Sequence, residues 1–180
     1  MRLAVPLLAA LLAASPAAAE PPPQPEGYRM QVYRAPTPAA LDGAEVADLA
    51  RARALWETGE AAFVDVLPRP PRPEGLPADT YWRPRSRASV PGAIWLPNIG
   101  FGAVSEEVER YLMAGLAAAR DGDDDRPLVI FCDRDCWMSW NAAKRAVALG
   151  LAPVIWFPEG VDGWAEAGLP LEEAEPWGPE

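Results

Sequence analysis

Three short runs, Ala62-Phe-Val-Asp-Val66, Pro127-Leu-Val-Ile-Phe131 and Val154-Ile-Trp-Phe157, are apolar without clean alternation, and stretches with helical spacing separate them. A strand of this kind expects cover on both of its faces, as the strands of a parallel sheet have. The pattern therefore predicts an α/β fold, a mostly parallel central sheet with helices on both faces. One helix is expected after Gly43, where Val46, Leu49, Ala50, Arg53 and Trp56 recur at three- and four-residue steps before Gly59. A second starts at Ser105, a good N-cap followed by Glu106 and Glu107, and lasts to about Arg120. A third runs from about Trp137 to Leu149 and closes at Gly150. At 180 residues and 50% hydrophobic, the chain can bury one core of its own.

Other segments fall outside this alternation. Tyr28 to Tyr33 alternates apolar with polar residues and reads as a short strand. From Pro68 to Ser89, prolines, glycine and arginines exclude helix and central strand and predict a long surface excursion, after which Val90 to Pro97 turns into a short strand. At the start of the chain, Arg2, the apolar run Leu3 to Leu12 and the small residues Ala17-Ala18-Ala19 follow the layout of a signal peptide. The run is about half the ~20 residues a spanning helix needs, so cleavage after Ala19 is expected rather than anchoring. The expected organisation is a signal peptide over 1–19, a Pro-rich leader and N-terminal extension over 20–43, and the folded domain over 44–176. Pro21 to Pro25 reads as an extended linker. Export places the protein in the periplasm with no membrane span after cleavage, in an oxidising compartment where cysteines can pair.

Composition then narrows the chemistry. With 16 Lys+Arg against 26 Asp+Glu the chain carries a formal charge of −10 and offers no basic stripe to nucleic acid. It contains no histidine, which removes Ser-His-Asp and Cys-His catalysis, imidazole zinc sites and haem attachment through Cys-x-x-Cys-His. What remains is the run Cys132-Asp-Arg-Asp-Cys136, placed at the carboxyl end of a predicted strand and the head of a predicted helix, where α/β sheets gather ligands and chemistry. A helix N-terminus lowers a thiol pKa; Asp133 and Asp135 oppose it, and Arg134 offsets them in part. Cys136 is close enough to reach the ~5.5 Å Cα separation a disulfide prefers. The pair can thus be a dithiol–disulfide couple or a staple stabilising by about 2 kcal/mol. With Met138 it also offers soft ligands for Cu(I). Trp137 and Trp140 share a helix face, either as packing or as an aromatic wall for a planar quinone or a partner. Arg83, Arg85 and Arg87 read as surface charge or as an attractor for an anionic substrate, and Asp123 to Asp125 as a solvated turn.

In order along the chain, Phe63-Val-Asp-Val66, Ser89-Val-Pro-Gly-Ala-Ile94, a strand ending in Cys132, Ala142-Ala143 with Gly150, and Glu159-Gly160 with Gly163-Trp164 resemble the rhodanese-like family over roughly Ala44 to Pro170. The run from Cys132 to Arg145, with Pro158 to Trp164, is more specifically similar to the exported PQQ-dependent catabolism-associated CXXCW motif proteins, although the spacing here is Cys-x-x-x-Cys. The resemblance implies a rhodanese-type fold with Cys132 as the nucleophile. In this sequence the loop has no glycine, Ser89 replaces the usual histidine, and Leu67 replaces a common arginine. With Cys136 as the resolving thiol, the expected activity is sulfur transfer or thiol–disulfide exchange, with Arg134 beside the cysteines and Asp133, Asp135, Trp137, Met138, Ser139 and Trp140 lining the site. That chemistry requires no cofactor, and association with PQQ or Cu(I) stands beside it. The implied partners are periplasmic redox proteins, among them a PQQ-dependent alcohol dehydrogenase system. The alternative is a non-catalytic binding module in which the disulfide is structural.

Overall fold

Five strands form one all-parallel sheet in the order β1-β6-β5-β2-β4, with β1 at Glu45–Val46, β2 at Ala62–Asp65, β4 at Ile94–Trp95, β5 at Leu128–Phe131 and β6 at Val154–Phe157. The computed structural model describes residues 20–77, 79–82 and 86–178, so the expected signal peptide and Arg83 and Arg85 lie outside the described residues. Alternate residues of the central strands face different layers. Ala62, Val64, Leu128, Ile130, Val154 and Trp156 pack under helices α2 (Glu106–Arg120) and α3 (Trp137–Ala148). Phe63, Val129, Phe131, Ile155 and Phe157 pack under α1 (Leu49–Thr58) and α4 (Gly160–Glu166). The runs are continuously apolar because both faces are covered, each fully buried side chain contributing roughly 1.5–3 kcal/mol of transfer free energy.

Ser105 caps α2 as expected, its Oγ accepting from the Val108 amide. The first helix differs from expectation. Glu45 and Val46 are instead the edge strand β1, paired with Ile155 and Trp156, and Asp48 caps a helix that starts at Leu49. That later start changes the phase: Ala52 and Leu55 are the buried residues of α1, and Arg53 turns outward to Glu57. The end of the excursion also acquires structure, since β3 (Arg87–Ser89) pairs antiparallel with β7 (Glu172–Ala174) in a separate two-stranded sheet.

Tyr28 to Tyr33 is not a strand. Met30 and Val32 are exposed, Val32 has φ 50°, and the segment is spent crossing the start of α3. The proline leader folds back rather than projecting: Gln24 and Asp42 exchange two hydrogen bonds, and Lys144 Nζ donates to the carbonyls of Pro25 and Glu26.

Candidate functional site

β5 carries the chain to Cys132 at its carboxyl end, and α3 begins five residues later at Trp137. Between them Asp135 adopts φ 55°, the left-handed conformation that turns the loop back on itself. This brings Cys136 to a Cα distance of 6.2 Å from Cys132, and the two form a disulfide. Cys132 is fully buried and Cys136 is 5% exposed. Cys136 is also the N-cap of α3 but supplies no side-chain cap. Part of the capping comes from outside the helix, since the Trp137 amide donates to Tyr33 O at 2.9 Å; the Ala35 amide in turn donates to the loop carbonyl of Asp135 at 3.0 Å. Residues 33–35 thus lie as a strap along the loop, with Arg34 bridged to Cys136. From the other side, the Val161 amide donates to Cys132 O at 2.8 Å. Gly160, at φ 53°, permits that approach, since a Cβ there would overlap the Cys132 carbonyl.

The charges around the loop are arranged through contacts distant in sequence. Asp133 is held by two arginines, Arg34 Nη2 at 2.9 Å and Arg87 Nη1 at 2.7 Å. Arg87 also donates through Nε to Asp65 at 2.6 Å, and Asp65 further accepts from Ser89 Oγ at 2.7 Å and the Leu67 amide at 2.9 Å. Burial pushes the Asp65 carboxyl above the ordinary carboxylate range, against the pull of Arg87, Ser89 and the Leu67 amide. Burial disfavours the Arg87 guanidinium, but Asp65 and Asp133 together outweigh this and hold its pKa above the usual value. The negative charge next to Cys132 is therefore matched by Arg34 and Arg87. The Arg134 side chain faces elsewhere, in a bidentate pair with Glu166 at 2.7 and 2.6 Å, while its backbone amide donates to Asp162 and its carbonyl accepts from Arg34 Nη1 at 2.9 Å.

The other residues singled out in sequence sit at the base of the loop. Trp137 is 2% exposed and donates from Nε1 to Pro36 O at 3.0 Å, with the Arg29 guanidinium 5.1 Å from its ring. Trp140 is fully buried, packs edge-on against Trp137 at 5.3 Å and donates to Ala40 O. Met138 and Ser139 are buried; Ser139 Oγ donates to Cys136 O and accepts from Trp156 Nε1. Asp135 is the exposed corner of the loop. The structure joins Cys132, Asp133 and Cys136 to Asp65, Ser89, Arg87 and Arg34. Of these four, sequence reasoning read Arg87 as surface charge or as an attractor for an anionic substrate and gave Asp65 and Arg34 no role. The available signal was Asp65 itself, an acid within an apolar strand, which implies a buried cation partner.

No protein-family model matches the chain, and no curated protein matches it. Among solved structures it is similar to the thiosulfate sulfurtransferase of Pseudomonas aeruginosa, at 19% identity over 74% of this chain and 21% of that one, with a TM-score of 0.50. A variant of EanB in complex with hercynine matches at 20% identity over 79% of this chain and 34% of that one, TM-score 0.51. The chain has a rhodanese-like fold. It spans about a fifth and a third of the length of those two proteins. A polysulfide-sulfur transferase of Wolinella succinogenes matches at 21% identity, covering 74% of this chain and 82% of that one, with a TM-score of 0.46. In this rhodanese-like fold the Cys132–Cys136 loop occupies the strand-to-helix turn that α/β sheets use for chemistry.

Proposed function

We propose that this is an exported, periplasmic rhodanese-like thiol protein whose Cys132–Cys136 pair performs sulfur transfer or thiol–disulfide exchange in support of PQQ-dependent alcohol catabolism. The observation that carries the reading is the disulfide itself, closed across the β5–α3 turn with the adjacent Asp133 charge matched by Arg34 and Arg87. Starting from the dithiol, the Cys132 thiolate attacks a disulfide on an oxidised partner and expels one partner thiolate. The Cys136 thiolate then attacks Cys132 Sγ, releases the second partner thiolate and leaves the intramolecular disulfide. Two electrons pass to the partner, and the protein is the species oxidised. Export is supported by the layout of residues 1–19, and the link to PQQ-dependent catabolism by the likeness of the cysteine run to that family. Copper binding belongs to the reduced form alone, because disulfide sulfurs are not thiolate ligands.

One observation favours a second reading. Both cysteines are buried, as in a structural staple on a non-catalytic binding module. Cys136→Ser separates the two. Under exchange it traps a mixed disulfide or a persulfide on Cys132, visible as a mass increment lost with dithiothreitol. If no adduct forms with small disulfides, thiosulfate or periplasmic extract, the staple reading stands.

A further inference from the structure

Exchange needs a thiolate to reach a sulfur of the disulfide, yet Cys132 is fully buried and Cys136 nearly so. The strap runs beside Cys136, its antiparallel bridge partner at Arg34, and Tyr33 and Ala35 pack against the core cluster that contains both cysteines. An anchor fixes the chain on each side of it. At Arg29, the buried Asn141 accepts from the amide through Oδ1 and donates to the carbonyl through Nδ2, each at 2.9 Å. At Pro36, the carbonyl accepts from Trp137 Nε1 at 3.0 Å.

Between these anchors, residues 30–35 form neither helix nor strand apart from the bridge at Arg34. Backbone hydrogen bonds from the Trp137 amide to Tyr33 O and from the Ala35 amide to Asp135 O tie them to the cysteine loop. The Tyr33 hydroxyl adds a latch, accepting from the Gly102 amide at 3.1 Å while donating to Met30 O at 3.0 Å. Val32 lies at φ 50°, a conformation that a β-branched residue rarely takes, so the closed strap carries backbone strain. On the other side of the loop the ties are buried, in the Arg87–Asp65 pair and the Val161 amide on Cys132 O. A segment without regular structure, strained and held partly by exposed groups, opens at a lower free energy than such a core.

We propose that residues 30–35 are a flap whose local opening between Arg29 and Pro36 admits a small thiol to the Cys132–Cys136 disulfide, with Tyr33 as its latch and the strain at Val32 favouring the open form. Use of the flap in turnover rests on the exchange reading. The opening itself is measured with dithiothreitol alone and holds or fails separately. A dithiothreitol thiolate attacks one sulfur of the pair and expels the other as a thiolate; its second thiol then closes the oxidised ring, and the two electrons and two protons it gives up leave Cys132 and Cys136 as thiols.

The test is the rate of this reduction in the oxidised full chain, read by intact mass after thiol trapping, at dithiothreitol low enough that the rate reports the open population. In urea well below the unfolding transition the rate should stay nearly flat, because a flap exposes little surface. Tyr33→Phe keeps the ring edge-on to Phe101, loses the latch and should speed reduction roughly three- to tenfold. Val32→Asn, at a position 65% exposed, relieves the strain and should slow it roughly three- to tenfold. Leu55→Ala, in the core on the opposite face of the sheet, should lower global stability and leave the rate within about twofold. If Leu55→Ala does not fold, the urea dependence decides. The proposal is overturned if the parent's reduction rises with urea as steeply as unfolding does, if Leu55→Ala speeds reduction in step with its loss of stability, or if Tyr33→Phe or Val32→Asn leaves the rate unchanged.

Discussion

Arg87→Met keeps much of the side-chain volume at a buried position but removes the guanidinium that Asp65 and Asp133 share. Removing one partner of a buried pair typically costs about 3–5 kcal/mol, because the other charge is left without compensation. Asp65 is fully buried, yet it keeps the Ser89 hydroxyl and the Leu67 amide and is already pushed toward its protonated form by burial. It can therefore take a proton instead of staying ionised, which places the expected loss near the lower bound, about 3 kcal/mol. For a chain of this size that corresponds to a melting temperature lower by roughly 6–12 °C. The pH dependence has a definite sign. An acid whose folded pKa is raised binds its proton more tightly when folded, so its contribution is fully present below the ordinary aspartate value. It is lost as pH rises through the raised one, and the Arg87→Met deficit deepens in that direction. In Asp65→Asn/Arg87→Met no charge remains at the Asp65 position, and stability should return to within about 1–2 kcal/mol of the parent. Urea unfolding of the parent, the single variant and the double variant measures all three. A loss below about 1 kcal/mol in Arg87→Met, or a double variant no more stable than the single one, would refute the view that this pair anchors the loop.

Three further outcomes follow from the same geometry. Gly160→Ala places a Cβ against the Cys132 carbonyl at φ 53° and displaces the Val161 amide from Cys132 O; strain plus a lost buried hydrogen bond should cost about 2–4 kcal/mol in urea unfolding. Arg34→Ala, at a side chain 61% exposed, should change stability by less than about 1 kcal/mol. In the reduced protein it should nonetheless raise the Cys132 thiol pKa, seen as alkylation shifted to higher pH, because Asp133 loses one of its two cations. The Arg134 hydrogen bond holds Glu166 below the ordinary carboxylate range, so NMR should place its midpoint below 4.5 and Arg134→Ala should return it there. The pair's small contribution is present above the ordinary value and lost as pH falls through the lowered one.

The parts of the molecule legible in sequence are those set by local pattern. β2, β5 and β6 are continuous apolar runs because helices cover both faces, and Ser105 announces α2 by its own capping chemistry. The cysteine loop was legible for the same reason, since a strand ending in Cys132 before an amphipathic run has few other places to go. α1 was misplaced because helical spacing cannot show that Val46 would find a strand partner in Ile155 and Trp156. The charge arrangement was hidden more deeply. Arg34 and Asp133 are 99 residues apart, and Arg87 and Asp133 are 46 apart, so only the fold brings them together. The segment Tyr28 to Tyr33 differs from expectation because Met30 and Val32 alternate like strand residues while the Tyr33 carbonyl serves the start of α3.

The central claim is that Cys132 and Cys136 exchange rather than merely staple. Intact-mass detection of trapped thiols, with the protein equilibrated across glutathione and dithiothreitol redox buffers, tests it most directly. The account predicts a midpoint between roughly −120 and −270 mV, within the range of exchange proteins, whereas a pair still oxidised below about −300 mV would contradict it and leave the disulfide a structural one.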